Sequence, residues 1–263
     1  MTEIFKKYNI STAGTGNTTL LFAHGFGCDQ NSWNYIKDAF VDDHKVVLFD
    51  YVGAGKSDKS CYNVKKYDSL NGYADDVIEI CESLQLKDAI FVGHSVSCMI
   101  GALATIKRPD LFKKLVFIGP SPCFITAPGY PSGFDRETID TLMEVMDEDY
   151  ISWARSLAPN IMGTSHQAAL GDELTDSFCA TDAHIAKQFA RVTFYSDNRA
   201  ELPLIPIPSL TIQSTQDLIV PVTVGEYIHK HTPQNTLRIL NTQGHCPHMS
   251  KPAETIAIIK SFI

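Results

Sequence analysis

A chain of 263 residues, 44% hydrophobic and 20% charged, has enough apolar material for one large domain and too ordinary a composition for disorder. Its 22 Lys+Arg against 30 Asp+Glu give a formal charge of −8 with no basic run, so no nucleic-acid binding is expected. The opening MTEIFKKYNI lacks an apolar core of leader length, and no uncharged apolar stretch approaches the roughly 20 residues of a membrane span, so no membrane association is expected.

Short β-rich runs alternate with helical patterns along the first half, the signature of a mostly parallel sheet. Strands are expected at Ile4–Ile10, Thr18–Ala23, Lys45–Phe49, Ala89–Val92 and Leu115–Ile118, with helices over Asn31–Phe40, Ser69–Leu84 and Val96–Ile106. From about Cys123 to Pro208 no strand pattern occurs. Four helical segments follow one another there, over Arg136–Met146, Glu148–Ile161, Ser165–Phe178 and Asp182–Tyr195, with Asp135, Asp147, Ser165 and Thr181 as N-caps. The proline-rich ELPLIPIPS then re-enters the sheet. Strands Ser209–Gln213 and Thr236–Leu240 and helices Val222–His229 and Ala253–Phe262 complete the chain. The expected organisation is one α/β domain in two parts, residues 1–122 and 208–263, with a helical lid, 123–207, inserted between strands. Seven cysteines, odd in number and without a C-x-x-C, read as reduced thiols, and a cytoplasmic location is expected.

The chemistry begins at FVGHSVSC. A serine between a strand and a helix, preceded by Gly93, projects its hydroxyl above the sheet with a helix N-terminus behind it. Ser95 is the candidate nucleophile, and Ser97 stands where the Gly-x-Ser-x-Gly pentapeptide has its last glycine. A serine hydroxyl needs a base held by an acid, and this architecture orders them Ser, Asp/Glu, His along the chain. Asp217 ends the turn after one late strand and His245 lies in the loop after the next. The alternative for Asp217 is an Asx turn or helix cap; for His245, a loop histidine satisfied by backbone. His245 is preferred over His248 because Gly244 lets the backbone bend toward the nucleophile. A metal shared by these two histidines has no supporting carboxylate or thiol cluster. Oxyanion donors are expected from the backbone N–H of Val96 and, in LLFAHGFGCDQNSW, of Phe26. FDYVGAGKSD lacks the third glycine and Lys-Ser/Thr of a phosphate loop and reads as a turn supporting the oxyanion loop.

Together with FGCDQNSWN, VVLFDYVGAGKSD, IGPSPCF, FCATDAHIAKQFAR and QGHCPHMSKP, these residues resemble the α/β-hydrolase superfamily, and within it the RsbQ-like and strigolactone–karrikin-receptor-like subgroup. The resemblance spans the whole chain. It implies an α/β-hydrolase fold with a four-helix lid over a hydrophobic pocket, the triad Ser95, Asp217 and His245, oxyanion positions at Phe26 and Val96, and no metal or organic cofactor. Phe124 matches a pocket-lining aromatic; Phe134, Trp153, Phe178, Phe189 and Phe194 are further candidates to contact substrate. Val52 stands where many members have arginine, although the RsbQ-like proteins share the valine. The implied function is a serine hydrolase acting on a small hydrophobic ester or lactone in a signalling or stress-response role. The alternative is a ligand-binding signalling protein whose hydrolysis is slow and whose lid engages a protein partner, such as a sensor-domain phosphatase. A dehalogenase or epoxide hydrolase expects Asp at position 95; haloperoxidase and C–C bond hydrolase chemistry keeps serine and stays open.

Overall fold

The computed structural model describes residues 3–163 and 168–263. Seven strands form one sheet: β1 (Ser11–Ala13), β2 (Thr18–Ala23), β3 (His44–Leu48), β4 (Ala89–His94), β5 (Phe112–Ile118), β6 (Ser209–Gln216) and β7 (Asn235–Gln243). Their spatial order is β1-β3-β2-β4-β5-β6-β7, with β1 antiparallel and every other pairing parallel. The central strands β2, β4 and β5 are buried along most of their length, which explains their largely apolar sequence, whereas the edge strand β7 is partly exposed. Alternate residues feed two cores. Leu21, Val47, Phe91, Leu115 and Phe117 point to one face, and Phe22, Leu48, Ile90, Val116 and Ile212 to the other.

Helices α2 (Leu70–Ser83), α3 (Val96–Lys107) and α8 (Val222–His231) pack their apolar stripes on the first face, whereas Trp33, Ile36, Phe40 and Ile259 of α10 (Pro252–Phe262) cover the second. Between β5 and β6 lie α4 (Arg136–Glu148), α5 (Tyr150–Met162), α6 (Ala168–Ala180) and α7 (Ala183–Phe194). Asp135 caps α4, its side chain accepting from Thr138 N–H. The caps of α5 and α7 are Asp149 and Asp182, each two or three residues before the amides it accepts from, rather than Asp147 and Thr181. Asp147 is instead paired with Arg191. The expected cap Ser165 lies outside the described residues, so the structure begins α6 at Ala168.

Two further expectations change. Ile4–Ile10 is not a strand: α1 (Glu3–Lys7) forms there, with Glu3 in its first turn and Lys6 and Lys7 in its last, the charge order that suits the helix dipole. The edge strand follows at Ser11–Ala13 and is exposed along its length. Asn31–Phe40 is two short 3-10 turns, Gln30–Trp33 and Lys37–Phe40, rather than one helix. A short helix absent from the sequence reading, α9 (Pro247–Ser250), follows β7. Among the described residues no helix is long and apolar enough to cross a membrane.

Candidate active site

Ser95 sits between β4 and α3 at φ 57°, ψ −124°, a left-handed backbone that a non-glycine residue adopts only under strain. Its N–H is tied to Ile118 C=O at 2.8 Å. The turn is tight: a Cβ on Gly93 would come within 2.9 Å of the Ser97 backbone. The reward of this geometry is placement, since the side chain projects from the carboxyl edge of the sheet at the head of α3.

The two other sequence candidates arrive at the same edge. His245 Nε2 lies 2.8 Å from Ser95 Oγ, and His245 Nδ1 lies 2.7 Å from Asp217 Oδ2. An ionised carboxylate can only accept, so Nδ1 carries the proton and Nε2 is left to receive the serine hydroxyl. The other oxygen of Asp217 accepts from Ile219 N–H at 2.8 Å and Val220 N–H at 3.0 Å. Asp217 is thus both the Asx-type turn that its sequence allowed and the group that orients His245. The His245 and Asp217 side chains are 4% and 1% exposed, so this line of hydrogen bonds is shielded from water.

The base loop is anchored at both sides. Gly244, at φ 89°, donates its N–H to Gln216 C=O at 2.8 Å, and His245 N–H donates to Ile161 C=O of α5 at 2.9 Å. His94, which the sequence reading passed over, places its Nε2 2.9 Å from His245 C=O. Its ring also meets His248, which in turn lies tilted against Trp33. Burial drives the pKa of His94 well below the usual imidazole value and that of His248 down to about 3, so both remain neutral beside His245. His248 therefore packs, as its sequence position suggested, and has no protein hydrogen-bond partner among the described residues. Among those residues no group of three or more His, Cys, Asp or Glu is placed to hold a metal.

The loop after β2 passes against the nucleophile. A Cβ on Gly25 would lie 3.3 Å from Ser95 Cβ and 2.5 Å from the His94 ring, so only glycine fits. Phe26 follows, and neither its N–H nor that of Val96 has an acceptor among the described residues. The Phe26 ring reaches the helical layer above, with ring centroids 5.4 Å from Phe178, 5.8 Å from Phe189, 6.2 Å from Trp153 and 6.4 Å from Phe194.

A cavity of about 30 Å³ adjoins Ser95 and His245. Of the aromatics named from sequence, Phe124, Phe178 and Phe194 wall it; Phe134, Trp153 and Phe189 do not. Phe134 and Trp153 line an outer groove of about 770 Å³ between α4 and α5. Phe189 lies five residues from Phe194 on α7, hence on another face of that helix, and stacks on Tyr73 of α2 at 4.4 Å. Cys28, Ile161, Leu174, Thr193, Ile219 and Cys246 also line the cavity. No motif marks them, although Cys28 and Cys246 adjoin the oxyanion loop and His245 in sequence. Ile219 belongs to both the cavity and the groove, and so forms the wall between them.

Residues 20–258 match the model of the alpha/beta hydrolase family. The chain is 39% identical over 253 residues to Karrikin insensitive 2 receptor CA of Petunia hybrida, covering 96% of this chain and 94% of that protein. It is 36% identical over 259 residues to Strigolactone esterase D14 of Arabidopsis thaliana, covering 98% and 97%. A solved structure of a hydrolase from Oleispira antarctica superposes with a TM-score of 0.97 at 41% identity, covering 99% of this chain and 96% of the other.

Proposed function

The chain belongs to the alpha/beta hydrolase family, and on that premise we propose that it is a serine hydrolase of small, mostly apolar esters or lactones. The observation that carries this reading is the unbroken line Asp217 Oδ2, His245, Ser95 Oγ, with contacts of 2.7 and 2.8 Å on a strained nucleophile turn. In this mechanism Ser95 Oγ attacks the acyl carbonyl as His245 Nε2 takes its proton. Asp217 holds the imidazole in the required tautomer and stabilises the imidazolium that forms. The N–H groups of Phe26 and Val96 receive the oxyanion, helped by the N-terminus of α3. Collapse of the tetrahedral species returns the proton to the leaving alkoxide and leaves an acyl group on Ser95. His245 then activates water, and the same steps in reverse order release the acid. Phe124, Phe178 and Phe194 give the acyl group an apolar seat, which favours short hydrophobic acyl chains or rings.

Turnover of a p-nitrophenyl ester tests the reading. Wild-type protein should release a burst of one nitrophenol per Ser95 before the steady state, and Ser95→Ala should release none. Equal turnover by both proteins would sink the catalytic assignment.

A second reading has its own support. Near-full-length relatives are named both as receptors and as esterases, and the cavity beside Ser95 is small against the groove outside it. On this reading the chain binds a small hydrophobic ligand, cleaves it slowly and presents its helical layer to a protein, with an RsbQ-like stress-response role and a sensor-domain phosphatase as partner. Fast multiple turnover of a defined ester favours the plain hydrolase. A single burst with slow release, together with ligand-dependent binding to a purified phosphatase of that kind, favours the signalling role.

A further inference from the structure

Ser97 occupies the glycine position of the nucleophile pentapeptide and is wholly buried. Its hydroxyl donates to the His24 carbonyl, and the Tyr51 phenol lies 3.0 Å from the same serine oxygen. A carbonyl can only accept, so the serine proton is committed to His24 and Tyr51 must be the donor to Ser97. Burial raises the pKa of Tyr51 far above the usual phenol value, which keeps that proton in place. The line Tyr51 O–H, Ser97 O–H, His24 C=O joins the loops that follow β3 and β2 to the first turn of α3.

The His24 ring is fixed as well. Tyr51 N–H donates to Nε2 at 3.2 Å, so the proton of the neutral ring is on Nδ1, which donates to Gly25 C=O at 2.9 Å. Cys28 N–H reaches the same carbonyl at 3.2 Å. Gly25 C=O and Phe26 N–H belong to one planar trans peptide and point in opposite directions. Whatever fixes the carbonyl therefore aims the N–H.

We propose that Ser97 is a positioning residue which, with Tyr51 and His24, aims the Phe26 N–H at the oxyanion formed on attack by Ser95. The inference rests on Ser95 being the nucleophile. It turns the departure at Ser97 from a tolerated substitution into a brace between the nucleophile helix and the oxyanion loop. Because the oxyanion exists only in the tetrahedral species, loss of the brace acts on kcat and leaves ground-state binding alone.

The test uses the full chain with Ser97→Ala, Tyr51→Phe and the double variant, a p-nitrophenyl ester, and an alkyl boronic acid that becomes a tetrahedral anion on a nucleophilic serine. In Ser97→Ala, kcat should fall by about 10- to 100-fold, less than the 10²–10³ for deleting an oxyanion donor outright. KM should stay within about twofold, and boronate affinity should fall in parallel with kcat. Tyr51→Phe should show a smaller loss of the same kind and add little to Ser97→Ala, because both cut one line. Should Ser97→Ala not fold, Tyr51→Phe alone reads the same split between kcat and KM. Wild-type kcat and boronate affinity in Ser97→Ala, or a loss carried by KM alone, overturns the proposal. An inactive Ser95→Ala beside a fully active Ser97→Ala overturns only this inference, whereas an active Ser95→Ala removes the reading on which it rests.

Discussion

Replacing His248 by phenylalanine should flatten the acid side of the stability curve. His248 is fully buried in α9, its ring centroid 4.6 Å from Trp33 and 4.5 Å from His94. Burial first, and the neighbouring His245 second, lower its pKa to about 3, against roughly 6.5 in an unfolded chain. Between these values the unfolded chain binds a proton that the folded chain refuses. Stability therefore rises with pH across that window and is lost as pH falls below about 6.5. At roughly 1.4 kcal/mol per pH unit, the loss from this one residue between pH 7 and pH 5 is about 2 kcal/mol. Phenylalanine keeps an aromatic ring against Trp33 and His94 and cannot titrate, and whatever its shape costs in packing is independent of pH. His94, also held neutral chiefly by burial, contributes a slope of the same sign to both proteins; the variant relieves only the lesser part of its shift that comes from His248, which moves the difference in the same direction. Urea unfolding at pH 7, 6 and 5 should show the difference between variant and wild type moving in the variant's favour by about 2 kcal/mol, on the order of 4–8 °C in melting midpoint. Parallel curves for the two proteins would mean that His248 titrates alike folded and unfolded, and the burial argument would fall.

The remaining expectations concern the site directly. Asp217→Asn keeps the shape of the acid but presents the wrong partner to Nδ1–H, so kcat should drop by roughly 10³–10⁴ with the melting midpoint little changed; activity within about tenfold of wild type would remove Asp217 from the mechanism. Gly244→Ala puts a Cβ 1.9 Å from Met162 C=O at a backbone of φ 89°. It should cost at least about 2 kcal/mol and lower kcat together, because the same bend delivers His245 to Ile161 and Ser95. Phe178→Ala removes a wall of the cavity at a cost of about 3–5 kcal/mol, and the preferred acyl chain should lengthen in a series of p-nitrophenyl esters. An unchanged chain-length preference would place the acyl group elsewhere.

How much of this was legible in the sequence depends on what each residue's signal encodes. The mostly parallel sheet and the positions of Ser95, Asp217 and His245 could be read because each of these three residues follows a strand-like run at a turn, and the run before Ser95 is buried throughout. The N-terminal misreading has the same physical root. Tyr8 and Ile10 are buried two residues apart, as in a strand, but they lie in the turn that follows α1, and Tyr8 is held by its hydroxyl on Asp76, a partner no local pattern predicts. Likewise Trp33, Ile36 and Phe40 are spaced three and four apart, and that spacing serves one helix or two short turns equally well. The aromatics between β5 and β6 divided for a related reason: hydrophobicity says that Phe134, Trp153 and Phe189 pack against the core, not whether each faces the cavity, the outer groove or, as for Phe189, Tyr73 of α2. Ser97 is the sharpest case. Its sequence shows only a small residue where glycine is usual, because its partners, His24 and Tyr51, lie 73 and 46 positions away. A local motif can report that a turn has room for a hydroxyl; only the packing of three strand ends gives that hydroxyl something to hold.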